Sequence, residues 1–156
     1  MEKDYKEWSN DLAARIVQKG LATEQQLVGC SPSEIEALES GFNVKLPESY
    51  KAFMARLGKS NGAFLPQLRN SFYQLNSTRQ ALCELLSNRT DFELPETSFV
   101  FLGRFLCQFF FFDTAENLDD PPVSYYFEGE DRPTLLCDSF TTAMEMVLRD
   151  GLNRLD

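Results

Sequence analysis

Histidine is absent from all 156 residues of the chain, and this absence excludes the commonest catalytic arrangements. Serine triads and many acid–base sites depend on an imidazole, and the usual zinc enzymes bind their metal through one. The patterns GxGxxG and GxxxxGK[ST], which place backbone amides around phosphate groups, are missing as well. We therefore expect a protein that is not an enzyme and has no catalytic residues.

Carboxylates are the one plentiful catalytic group. Asp119 with Asp120, or Glu128 with Glu130, could in principle form a glycoside-hydrolysing pair. Acidic residues in turns are ordinarily solvated surface, however, so catalysis is the less favoured interpretation. Calcium binding is disfavoured too, because the segment around Asp120 lacks the alternating oxygen ligands and fixed glycine of an EF-hand loop.

Cysteine is scarce and scattered. No CxxC pair occurs, and without histidine a zinc site would need distant ligands. Four buried, reduced thiols in a cytosolic protein are the favoured interpretation. We expect no disulfide, no metal and no cofactor; the residues concerned are Cys30, Cys83, Cys107 and Cys137.

Basic residues are outnumbered, with 15 Lys and Arg against 24 Asp and Glu and a formal net charge of -9. Such a field repels nucleic acid and anionic lipid and favours a basic protein partner. Acidity that only keeps the protein soluble is the alternative. Long apolar runs are missing from MEKDYKEWSNDLAARIV, so we expect neither a signal peptide nor a membrane span, and a cytoplasmic location.

The first pattern along the chain is helical. Apolar side chains recur at three- and four-residue steps in five segments, near residues 5–20, 31–41, 47–58, 77–88 and 139–151. The clearest boundary is SPSEIEALESG, where Ser31 and Glu34 predict a capping box, Pro32 suits the first helical position and Gly41 supplies a stop. Asn61 and Gly62 predict a turn that leads into a short extended segment at 63–65, limited by Pro66.

From Ser98 the apolar period changes from 3.6 to 2. SFVFLG and FLCQFFFFD predict two strands around Gly103–Arg104, and PVSYYFEG and RPTLLCD predict two more around 129–131. Helices, then strands, then a helix indicate an α+β fold. We expect a single domain over residues 1–156, with an antiparallel sheet of about four to six strands packed by N-terminal helices and a C-terminal helix.

The stretch SPSEIEALESGFNVKLPESYKAFMARLGKSNGAF resembles the SUKH superfamily, which includes the fungal Smi/Knr regulators and many bacterial proteins. The shared features are the helix start at Glu34–Ile35, Leu46–Pro47, Tyr50 and Asn61–Gly62, followed later by Ser139–Phe140 before the last helix. The resemblance covers about residues 31–150 and leaves 1–30 as an N-terminal helical extension.

The resemblance implies a binding protein without catalytic residues. Many bacterial members resemble immunity proteins that neutralise polymorphic toxins, often nucleases, by direct binding. An intracellular scaffold or regulatory adaptor of the Smi/Knr type is the alternative. The immunity interpretation makes the partner a basic toxin domain, whose nucleic-acid cleft an acidic surface can cover.

The run FFFFDTAENLDDPPVSYYFEGED, residues 109–131, contains seven acidic residues and no basic one. Alternation places Phe105, Cys107, Phe109 and Phe111 on one strand face, which we expect under the helices. Phe110 and Phe112 lie on the other face, where core packing is favoured over a partly open binding side. The predicted partner-binding residues are Asp113, Glu116, Asp119, Asp120, Tyr126, Glu128, Glu130 and Asp131.

Overall fold

The computed structural model describes residues 3–65 and 70–151 of the chain. These residues form an α+β single domain with antiparallel sheets, which confirms the predicted fold class. In chain order the elements are α1 (Tyr5–Gln18), β1 (Leu27–Val28), α2 (Pro32–Phe42), α3 (Glu48–Leu57), β2 (Ser60–Asn61), α4 (Leu75–Arg89), β3 (Ser98–Arg104), β4 (Gln108–Asp113), β5 (Val123–Phe127), β6 (Thr134–Cys137) and α5 (Phe140–Asp150).

Local signals place most helix boundaries. The Ser31 hydroxyl accepts the Glu34 N–H at 3.2 Å, and the Glu34 carboxylate accepts the Ser31 N–H at 2.9 Å, so the predicted capping box is confirmed. The expected stop at Gly41 is wrong, because α2 continues to Phe42 and ends at Asn43, whose φ is +54°. Asparagine tolerates this left-handed conformation and therefore serves as the stop.

A two-stranded ribbon lies beside α3. β1 pairs antiparallel with β2, and Leu27 lies opposite Asn61. The extended segment expected at 63–65 is wrong, since those residues form turns and bends after the strand; Pro66 lies outside the described residues. Gly29 explains how the ribbon approaches α3, because a Cβ there would lie 1.8 Å from the backbone oxygen of Ala55.

The main sheet has the strand order β3–β4–β5–β6, with every neighbouring pair antiparallel. Its four strands fall within the predicted range. The turn of the first hairpin is wrong by two residues: β3 runs through Arg104, and the turn consists of Phe105, Leu106 and Cys107. The expected connection around 129–131 lies between β5 and β6, as predicted.

Helices cover both faces of the sheet at β4. Phe110 and Phe112 belong to the larger core, with Leu12 of α1 and Phe140 of α5, while Phe109 and Phe111 pack in a second cluster that contains Leu82 and Leu86 of α4. The face assignment of these four phenylalanines is confirmed, and so is the favoured core packing of Phe110 and Phe112, because both are buried.

The strand face that was predicted to lie under the helices included two residues too many, Phe105 and Cys107. Phe105 is exposed in the turn and Cys107 is half-buried, because β4 begins only at Gln108 and the pleat alternation does not extend before it. α4 also begins earlier than expected, at Leu75, so Ser77 lies within the helix and is not its cap. In the described parts of the chain, no helix has the length and apolar character needed to cross a bilayer.

Candidate functional site

The predicted acidic site is divided between the two ends of β5. The last residue of β4 and the first part of the connection that follows it, residues 113–120, are named here the acidic loop; the connection after β5, residues 128–133, is named the hairpin turn. Pro121, Pro122 and the five residues of β5 separate them, and the strand alone corresponds to roughly 16 Å of extended chain. One sequence run therefore forms two surfaces, and the structure does not bring all of its acids together.

Hydrogen bonds fix the conformation of the acidic loop. The Thr97 carbonyl accepts the Thr114 N–H at 3.0 Å and the Thr114 hydroxyl at 2.7 Å, which ties the loop to the start of β3. The Asp113 carboxylate accepts the Ala115 N–H at 2.9 Å. Asn117, with φ of +53°, donates its N–H to the Thr114 carbonyl at 3.2 Å. A loop restrained in this way presents its exposed side chains in a preorganised arrangement.

Asp119 and Asp120 have different environments although they are adjacent. The Asp119 carbonyl accepts the Ser49 N–H at 2.9 Å, at the start of α3, and its side chain stays exposed. The half-buried Asp120 carboxylate accepts the Thr141 N–H at 3.0 Å and the Thr141 hydroxyl at 2.6 Å. Asp120 thus satisfies a free amide in the first turn of α5, and only Asp119 is available to a partner.

The electrostatic effect of these two carboxylates is visible in their neighbours. Burial raises the pKa of the Tyr5 hydroxyl, and the charges of Asp120 and Asp119 raise it further. The pKa of Lys51 is raised as well, first by its hydrogen bond with Glu48 and to a smaller extent by Asp119. Negative potential at this end of the sheet therefore favours positive charge nearby.

The acidic loop contains one exposed apolar side chain. Leu118 is 43% exposed and lies between Glu116 and Asp119 in sequence. Interface contacts typically combine an apolar centre with a polar rim, and the loop provides both. Sequence reasoning missed Leu118 because a single leucine in an acidic run carries no periodic signal.

Beside the acidic loop lies a groove of about 1150 Å³ between α1, α2 and α3. Asp119 forms part of its wall, and its charged residues are of both signs. No local sequence pattern indicates this groove, because it depends on how three separate helices pack. Its charged lining residues are Lys3, Asp4, Lys6, Glu36, Glu39, Glu48, Lys51, Arg56 and Asp119.

At the opposite end of β5, Tyr126 requires a correction. We predicted it to be a partner-binding residue, but it is 0% exposed and packs with the α4 cluster. Its hydroxyl donates to the Glu130 carbonyl at 2.9 Å, and burial followed by the charge of Glu128 raises its pKa. Tyr126 therefore stabilises the hairpin turn from inside and is not a surface contact.

The remaining acids of the hairpin turn are at the surface. Glu128 is half-buried and forms an ion pair of 3.1 Å with Arg89 of α4. Glu130 and Asp131 are exposed. Of the eight predicted residues, the acidic loop thus exposes Asp113, Glu116 and Asp119, and the hairpin turn exposes Glu130 and Asp131.

The cysteines and the possible metal-binding groups give little indication of reactive chemistry. All four cysteines are free, but only Cys30 is buried and the other three are half-buried, which corrects the expectation of four buried thiols. Burial raises the pKa of Cys30 to about 11, so its thiolate form is disfavoured near neutral pH. Among residues 3–65 and 70–151, no group of three Cys, Asp or Glu side chains is arranged to hold a metal ion.

Comparison with known proteins gives one family. The pattern of the SMI1/KNR4 family (SUKH-1) matches residues 29–146, well over half of the chain. No curated protein that was compared with the chain matches it. The matched region runs from the residue before Cys30 into α5 and contains the whole acidic loop and the main sheet. The family is compatible with an immunity role and with a Smi/Knr-type role. The chain belongs to the SMI1/KNR4 family (SUKH-1).

Proposed function

We propose that this chain is a non-enzymatic immunity protein that neutralises a basic toxin domain in the cytoplasm by binding it through the acidic loop. The observation that carries the proposal is an exposed acidic connection whose backbone is fixed at Thr114, Asn117 and Asp119. A loop held in one conformation loses little entropy on binding, so more of its contact energy contributes to affinity.

Charge supports the choice of partner. The chain carries -9 overall, and Asp113, Glu116 and Asp119 are exposed on the acidic loop. A toxin that cleaves nucleic acid needs a basic cleft, and such a cleft is attracted to this loop over distances near the Debye length, about 8 Å at physiological salt. Leu118 supplies an apolar contact within the same surface.

The hairpin turn is a poorer candidate for this contact. Arg89 pairs with Glu128, Tyr126 is buried, and Arg132 follows Asp131 directly. Its negative charge is therefore partly balanced. We assign the partner surface to the acidic loop, and this narrows the eight predicted residues to Asp113, Glu116 and Asp119 with Leu118 added.

A scaffold or regulatory adaptor of the Smi/Knr type is the second candidate, and the family match supports it equally. The two roles differ in what depends on the contact. An immunity protein is needed only when its toxin is present, whereas loss of an adaptor alters the cell without any toxin.

Co-expression with the product of the adjacent gene tests the proposal. The wild-type chain should restore growth and co-purify with that product, while D113N/E116Q/D119N should do both less well. The matched control is D91N/E130Q/D131N, which removes the same number of exposed acids away from the acidic loop. Toxicity that the wild-type chain does not relieve, without co-purification, would overturn the immunity role for this pair.

A further inference from the structure

The end of the sheet opposite the acidic loop exposes a cluster of large apolar side chains. Phe105 is 70% exposed, Leu106 45% and Phe127 44%. All three lie at the same end of the adjacent strands β3, β4 and β5, because Phe127 lies opposite Gln108 in the β4–β5 register and Gln108 lies opposite Arg104, the residue before Phe105. These three residues are named here the hairpin-end patch.

The backbone under Phe105 and Leu106 is unfavourable for such residues. Their φ angles are +53° and +56°, and the Cys107 N–H donates to the Arg104 carbonyl at 3.2 Å. Two successive positive φ angles are the pattern of a type I′ turn, for which Asn-Gly is strongly preferred. Residues with a Cβ are sterically strained in this conformation.

In the isolated chain this strain has little compensation from burial. The Arg104 guanidinium lies 5.4 Å from the centre of the Phe105 ring, but most of that ring remains exposed. Strained residues with exposed apolar side chains are a recurrent feature of binding surfaces. The turn therefore favours a contact that the isolated chain does not make.

The local charge indicates what covers the patch. Arg89, Arg104 and Arg132 lie at this end of the domain together with Glu128, Glu130 and Asp131, so the charges balance. Counting Asp91, which borders the same side groove as Arg89 and Arg132, leaves one excess negative charge. For a chain with a net charge of -9, this is a region where a second copy meets little repulsion.

We propose that the hairpin-end patch binds a second copy of the same chain in a two-fold symmetric dimer. A symmetric contact needs a self-complementary surface, and a patch with balanced charge and exposed apolar groups provides one. The acidic loops lie at the other ends of the two sheets, so both stay free for a partner. This inference does not depend on the proposed immunity function.

A contact formed by two short hairpin ends is small. Interfaces below about 1,200 Å² in total belong to weak or transient complexes. We therefore expect a dimer that dissociates on dilution, with half-association in the range of about 1 to 100 μM.

Sedimentation equilibrium of the full chain tests the dimer. The mass should rise from 17.9 kDa towards twice that value with concentration. F105N/L106G should stay monomeric at concentrations where the wild-type chain is mostly dimeric. It should also melt about 5 °C higher when both chains are compared as dilute monomers, because Asn-Gly relieves the turn strain.

The control is Leu118→Asn, which removes an exposed leucine from the acidic loop and should leave the association curve unchanged. A wild-type chain that stays monomeric up to about 1 mM, far above the expected range, would overturn the proposal. So would a dimer that F105N/L106G forms equally well. F105N/L106G could instead weaken the binding of the adjacent gene product and leave self-association unchanged. The patch would then contact a different protein, and the proposed dimer would be wrong.

Discussion

At the scale of single residues, the acids of one sequence run have separate roles. Asp120 accepts two hydrogen bonds from Thr141, Glu128 pairs with Arg89, and Asp119 remains exposed. Sequence reasoning grouped them because charge is visible in the sequence and the partner of a carboxylate is not. Tyr126 illustrates the same limit, since its burial depends on packing against α4, which is distant in sequence.

The difference between Asp119 and Asp120 is measurable as stability. Asp120→Ala removes the acceptor for the Thr141 N–H and hydroxyl, so the free energy of unfolding should fall by about 1–2 kcal/mol. Asp119→Ala keeps the backbone carbonyl that binds Ser49 and should change stability by less than about 0.5 kcal/mol. Urea unfolding of both variants checks this. Equal losses would show that Asp120 has no special structural role.

At the scale of elements, local signals predicted much and missed what depends on distant contacts. The Ser31–Glu34 capping box and the last helix, near residues 139–151, are encoded by local patterns and were predicted. β1 and β2 were missed because each has only two residues and exists through its pairing with the other. The turn at Phe105 was misplaced because none of its three residues, Phe105, Leu106 and Cys107, is a usual turn former.

One carboxylate of α5 accepts several hydrogen bonds from α1. Glu145 accepts hydrogen bonds from both terminal guanidinium nitrogens of Arg15, at 2.7 and 2.6 Å, and from the Trp8 indole at 3.2 Å. The hydrogen bonds from Arg15, more than the opposing effect of burial, hold the pKa of Glu145 below its usual value. Folding therefore favours the charged form of this side chain.

This contact makes part of the stability depend on pH. Because the folded pKa of Glu145 is lowered, its contribution is present above the unfolded value near 4.5 and is lost as pH falls through the folded pKa. Glu145→Gln should cost about 1 kcal/mol at pH 7, a modest figure because the ion pair is partly exposed. Urea unfolding from pH 7 to pH 3 should show the difference from wild type shrinking below pH 4.5.

The exposed Glu84→Gln variant on α4 is the control, and its small difference from wild type should not follow this pH course. A deficit for Glu145→Gln that stays constant down to pH 3 would contradict the role given to the Arg15 contact.

At the scale of the whole molecule, the sheet determines where partners can bind. Helices cover both faces of β4, and two surfaces lie at the ends of the strands, the acidic loop at one end and the hairpin-end patch at the other. The sequence was sufficient for the fold class. It could not divide the acids between two ends, because that requires the length and direction of β5 in the folded chain.

The central claim is that a basic protein partner binds the acidic loop. The most direct test is the association rate constant of the chain with the adjacent gene product at low and physiological salt. D113N/E116Q/D119N should associate about tenfold more slowly than wild type at low salt, with a smaller difference at physiological salt. D91N/E130Q/D131N should show a much smaller loss. Equal rate constants for the two triple variants at both salt concentrations would contradict the assignment of the acidic loop as the partner surface.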